Sequence, residues 1–199
     1  MLTLILGGAR SGKSDLAERL AAASGRDVLF VATMEPGDAE MAARIDAHRA
    51  VRPAAWRTIE EPLDLLGALR GHARSGGFVL VDCTTLWVSN MLLARLGDAE
   101  DAPPDAVRAA IDAAAEQAQQ FAVWARGYDG DVAAVSNEAG MGLVPPYTLG
   151  RAFRDALGAA NRIVARDADR VYFLVAGLAL ELKSLGAQPL ESLPPEPGR

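Results

Sequence analysis

Between residues 7 and 14 the chain reads Gly7-Gly8-Ala9-Arg10-Ser11-Gly12-Lys13-Ser14. Glycines at the first and sixth places permit backbone angles that a side chain forbids. The intervening N–H groups, from Gly8 through Ser11, can then curl around an anion. A lysine ammonium and a serine hydroxyl follow at once. That is the chemistry of a triphosphate cradle: Lys13 reaches the β- and γ-phosphates, and Ser14 offers its oxygen to Mg²⁺. An ordinary glycine turn also joins a strand to a helix. Here the Gly-Lys-Ser ending coincides with an apolar run before it and a helical pattern after it, so a nucleoside triphosphate is the expected first ligand.

A second chemical group is Asp82, the acid that ends the apolar run of residues 78–81. On a strand adjacent to the phosphate loop, such an acid holds the Mg²⁺ shell, directly or through water. The competing role is to cap the helix that begins near Thr84. The third group is His48, one of only two histidines. It lies on a helix that must stop before Pro53, because the residue before proline avoids helical angles. Residues four apart share a helix face, so Arg44, His48 and Arg52 form one stripe with Arg49 beside it. Surrounding guanidiniums disfavour the imidazolium and leave a neutral ring at pH 7. A neutral imidazole can attack phosphorus and carry a nucleotidyl group. A surface histidine among arginines is the bland alternative, and His72, at a helix end, is assigned no chemistry. The stretch Asp46-Ala47-His48 also opens like a cobalt-ligating Asp-x-His-x-x-Gly motif, but Val51 stands where that motif needs glycine.

The elements that must position these groups follow from apolar patterning. Five short, nearly unbroken apolar runs (2–6, 28–32, 78–81, 132–135 and 171–175) suggest strands buried on both faces, as in a parallel sheet covered by helices. Helical patterns occupy 15–23, 38–51, 63–74, 84–96, 105–126 and 149–166. In the fifth of these, Val107, Ile111, Ala114, Ala118, Phe121 and Ala125 step by four and three. Alternating strands and helices predict an α/β fold with right-handed crossovers. Residues 97–105, acidic and proline-bearing, read as a loop. One catalytic domain is expected over 1–185, with 186–199 a loose tail.

Bulk properties narrow the function classes. The chain has 199 residues, enough for one well-buried core, and a formal net charge of -6 argues against general nucleic-acid affinity. A single cysteine, Cys83, forbids an internal disulfide and points to a reducing cytoplasm. Its expected place is as a small buried side chain. No apolar stretch is long enough to cross a bilayer, so no stable membrane insertion is expected.

Further blocks carry a resemblance. They are Ala32-Thr33, the segment Arg44 to Arg49, Arg52-Pro53, Trp56-Arg57-Thr58, Glu60, the run from Val81 to Trp87, and Asn90. The series continues from Ser136 to Pro145 and through Arg151, Phe153-Arg154-Asp155, Gly158 and Asn161. With the phosphate loop, these blocks span most of the chain, which resembles the bifunctional adenosylcobinamide kinase / adenosylcobinamide-phosphate guanylyltransferase family of cobalamin biosynthesis. The resemblance implies a RecA-like P-loop NTPase fold, a mostly parallel sheet flanked by helices, assembled as a homotrimer. It implies two reactions: phosphorylation of the aminopropanol hydroxyl of adenosylcobinamide by ATP or GTP, then transfer of GMP from GTP to adenosylcobinamide phosphate through a guanylylated His48. It also implies nucleotide contacts at the phosphate loop, at Thr33, Met34 and Glu35, at Arg49, Ala50, Val51 and Arg52, and at Glu60 and Asp82. Two departures are mild: Ala139 replaces a commoner valine, and Ala47 stands where some relatives carry a second histidine. A single-activity small-molecule kinase and a nucleotide-dependent switch are the alternatives. The switch lacks an Asn-Lys-x-Asp guanine-reading motif.

Overall fold

A computed structural model describes residues 1–34, 53–97 and 102–193. In chain order the elements are β1 (Leu2–Gly7), α1 (Lys13–Ala23), β2 (Val28–Ala32), β3 (Arg57–Glu60), α2 (Leu65–His72) and β4 (Phe78–Asp82). They continue with α3 (Thr84–Leu96), α4 (Pro104–Gly127), β5 (Asp131–Asn137), α5 (Thr148–Asp167), β6 (Arg170–Val175) and β7 (Leu178–Glu181). A 3₁₀ turn at Leu190–Ser192 follows. All five apolar runs are strands. The helix expected over 38–51 lies outside the described residues.

The strands form one sheet in the order β3-β2-β4-β5-β1-β6-β7, parallel throughout except for β7. Continuous apolarity is explained by burial on both faces. Leu2, Leu4, Leu6, Leu29, Val31, Val79 and Val81 face α2 to α5, where Trp87 and Phe121 join them. Ile5, Val28, Phe30, Leu80 and Ala133 face the other way, onto Ala17 and Ala21 of α1. Trp87 and Phe121 meet edge to face, with ring centroids 6.2 Å apart. Trp87 and Met91 are both buried, as core spacing predicts.

Three features differ from expectation. β3 and β7 are additional strands: β3 is a short edge strand with half-exposed residues, and β7 is exposed along most of its length. Neither shows the unbroken apolarity that marks the others. α4 begins at Pro104, inside the expected loop, because a proline at the first helical position has no N–H to leave unpaired. Most consequential, β4 does not adjoin β1. β5 lies between them, so Asp82 is two strands from the phosphate loop rather than one.

Candidate active site

Residues 7–14 run from the last residue of β1 through the turn of residues 8–12 into the start of α1. Gly7 has φ 156° and Gly12 φ 93°, and Arg10 also sits at positive φ, 55°. The need at Gly7 is steric as well. A Cβ there would lie 2.5 Å from the Leu174 carbonyl oxygen on β6 and 2.7 Å from Ser11 Oγ. Gly8, Ala9 and Arg10 are exposed, while Ser11 and Lys13 are buried. The Lys13 ammonium folds back and donates to the Gly8 carbonyl at 2.6 Å. Burial lowers the Lys13 pKa from the ordinary lysine range, with Cys83 and Asp82 pulling the other way. Lys13 and Asp82 are thus within electrostatic reach of each other despite the intervening strand. Ser11 Oγ is buried without a hydrogen-bond partner among the described residues. An unmet donor within a ring of N–H groups fits an anion.

The β2 and β4 ends are stapled together by Thr33, which is fully buried. Its N–H donates to the Asp82 carbonyl at 3.2 Å. Its hydroxyl donates to the Cys83 carbonyl at 2.7 Å and accepts from the Cys83 N–H at 3.0 Å. The Thr33 side chain therefore fixes where Asp82 stands. Asn90 on α3 completes the join, its amide donating to the carbonyls of Thr33 at 2.9 Å and Pro62 at 3.2 Å. Burial, with the Asp82 carboxylate beside it, pushes the Cys83 thiol up to about 11, so it is a protonated, unreactive thiol at neutral pH.

β5 brings a buried polar network that sequence reasoning left open. Thr85 Oγ1 accepts from the Asn137 N–H at 2.7 Å. Asn161 on α5 donates to the Asn137 carbonyl at 2.9 Å and accepts from Ser136 Oγ at 2.6 Å. Asn137 pairs in register with Gly7, and the Glu138 N–H donates to the Gly7 carbonyl at 3.2 Å. Arg154 donates to the Gly140 carbonyl at 2.5 Å, and Arg151 to those of Pro145 and Pro146 at 3.3 and 2.8 Å. Arg151 and Arg154 thus shape the loop after β5. Ser136 and Asn161 are the polar residues at buried places here, Ser136 in an apolar strand and Asn161 on the buried face of α5.

The structure therefore brings the phosphate loop, Thr33 and Asp82 to one edge of the sheet, where the strand C-termini end. Open α/β sheets bind ligands outside that edge. Met34 follows Thr33 there. Glu60 ends β3, four strand positions from β1. Glu35, His48, Arg49, Ala50, Val51 and Arg52 lie outside the described residues. His72 is the exposed last residue of α2, away from this edge. A cavity of about 220 Å³ lined by Arg162, Arg166, Val171 and Lys183 lies at the opposite edge, remote from the phosphate loop.

A phosphate loop on an interior strand, with an acid two strands away across an inserted strand, defines a RecA-like P-loop nucleotide enzyme. The comparisons carry this further. The chain belongs to the cobinamide kinase / cobinamide phosphate guanyltransferase (CobU) family, whose model matches residues 3–182. It is 46% identical over 183 residues to the bifunctional adenosylcobalamin biosynthesis protein CobP of Pseudomonas aeruginosa, covering 92% of this chain and 98% of that one. It is 39% identical over 184 residues to the bifunctional CobU protein of Salmonella typhimurium, and 38% over 185 residues to that of Escherichia coli, covering 92% of this chain and 100% of each relative. The chain is accordingly a bifunctional enzyme, a kinase and a guanylyltransferase.

Proposed function

We propose that this chain phosphorylates the aminopropanol hydroxyl of adenosylcobinamide with ATP or GTP, and then transfers GMP from GTP to adenosylcobinamide phosphate, giving adenosylcobinamide-GDP. The observation that carries this reading is the strand–loop–helix of residues 7–14, with Lys13 turned into it. That geometry belongs to a family whose description names both reactions. The curved loop and the N-terminus of α1 hold the phosphate chain. Lys13 exchanges the Gly8 carbonyl for phosphate oxygens and neutralises their charge. Ser14 and Asp82 offer only oxygen, a hard donor set that fits Mg²⁺. An ion held there would polarise the phosphoryl groups and offset the charge of the leaving pyrophosphate or diphosphate.

His48 carries the guanylyl group in this reading. Its support is the sequence: an imidazole kept neutral by Arg44, Arg49 and Arg52 is a competent nucleophile toward the α-phosphorus. The new N–P bond forms as the P–O bond to pyrophosphate breaks. The substrate phosphate then displaces the imidazole. GTP labelled at its α-phosphate should leave acid-labile, base-stable label on the protein, and His48→Ala should abolish it. Label persisting in that variant would remove His48 from the mechanism. Absence of label in the wild type would leave a single-activity kinase.

Residues 1–185 are proposed as one catalytic domain, working in the cytoplasm as a homotrimer. No described helix is long and apolar enough to cross a membrane. Exposed Val175, Leu178 and Leu180 on β6 and β7 give partner copies apolar surface to cover.

A further inference from the structure

The kinase step releases a proton that the groups above do not receive. This inference rests on the proposed kinase reaction. As the substrate oxygen attacks the γ-phosphorus, an O–P bond forms. The P–O bond to the β-phosphate breaks and takes its electron pair with the leaving diphosphate. The hydroxyl proton must pass to a base.

The sheet itself ranks the candidates. Neighbouring strands lie about 4.8 Å apart. Glu60, at the end of β3, is four strands from β1, a lateral separation of about 19 Å. Asp82, at the end of β4, is two strands away and is committed to the metal side. On the other flank β6 ends in Leu174 and Val175, which carry no acid. Asp15 is exposed in the first turn of α1, behind the loop. Glu138 alone follows a strand that pairs directly with β1, and its own N–H is bonded to Gly7 at 3.2 Å.

Its placement is also fixed. The backbone of Asn137, one residue earlier, is gripped from both sides by Thr85 and Asn161. One carboxylate oxygen of Glu138, Oε1, accepts from the Gly140 N–H at 2.6 Å. The other makes no hydrogen bond among the described residues. A carboxylate anchored by one oxygen and open at the other is built to accept a proton.

We propose that Glu138 is the proton acceptor of the kinase step, receiving the substrate hydroxyl proton as its oxygen attacks the γ-phosphorus. The proton then leaves to water after the products separate. Guanylyl transfer makes no such demand, because its attacking group is a phosphate oxygen that carries no proton at neutral pH.

The test uses full-length Glu138→Gln, which keeps an oxygen for the Gly140 N–H. Both activities are measured in parallel, the second with preformed adenosylcobinamide phosphate, together with the Kd for ATP. Kinase kcat should fall by about 10²–10⁴. Guanylyl transfer and the ATP Kd should stay within about threefold. Kinase turnover close to wild type overturns the proposal, and so does an equal fall in both activities, which marks a structural role. If the Gln variant does not fold, Glu138→Asp decides: a folded, ATP-binding Asp variant should lose part of its kinase turnover and keep its guanylyl transfer, and one in which both activities fall equally refutes the assignment. Wild-type protein that never phosphorylates adenosylcobinamide defeats the kinase reading itself, and this inference with it. Active wild type with an equally active Gln variant defeats the inference alone.

Discussion

At the scale of single residues, the phosphate loop shows how little room the chemistry leaves. Gly7 is set by its φ of 156° and by the Leu174 backbone oxygen, 2.5 Å from where a methyl group would be. Backbone cannot step aside as a flexible side chain can. Gly7→Ala should therefore distort the cradle at a cost of about 1–3 kcal/mol. ATP affinity should fall roughly 10- to 100-fold, measured by titration calorimetry; unchanged affinity would show that the loop tolerates the methyl group. The loop was legible in the sequence because its residues are contiguous. Thr33 was legible only as a position. Its hydroxyl proves to be engaged by Cys83, fifty residues on, a partnership that no local pattern encodes.

At the scale of elements, strand and helix identities followed from continuous apolar runs and from the stripe on α4, where Ala114, Ala118, Phe121 and Ala125 are buried as expected, while Val107 and Ile111 are half-buried and Ala110 is buried instead. What patterning could not supply was the lateral order of the strands. Unbroken apolarity says that a strand is covered on both faces, not which strand lies beside it. The insertion of β5 between β1 and β4 therefore emerges only from the fold, and with it the importance of Glu138. The α5–β5 junction is the element-level test. Asn161→Leu would remove the side-chain donor to the Asn137 carbonyl and leave the Ser136 hydroxyl only a 3.5 Å contact with Thr85 Oγ1. Each orphaned buried group costs about 1–3 kcal/mol. Urea unfolding should show a loss in that range or above; a neutral result would mean that the network contributes no net stability.

At the scale of the whole molecule, charge ties down the edge opposite the active site. The N-terminal ammonium lies 3.5 Å from Asp131, which Arg26 also meets at 3.1 Å. Asp167, at the end of α5, faces Arg166 at 3.0 Å and Arg126 at 3.7 Å. The hydrogen bond from Arg166 holds the Asp167 pKa below the usual carboxylate range. A depressed folded pKa adds stability that is present above the unfolded value, about 3.9, and is lost as pH falls through the folded one. Asp167→Asn should therefore lower the urea midpoint at pH 7 and flatten its decline in acid; an identical acid slope in both proteins would place the titration elsewhere. The active edge is different in kind. Gly7, Asn137 and Asp82 terminate strands of one continuous hydrogen-bonded ladder, with no joint between them. Such an edge behaves as an anvil. Two reactions at two different phosphorus atoms must then be selected by where the nucleotide and its acceptor come to rest, since this ladder has no hinge among the described residues with which to follow them.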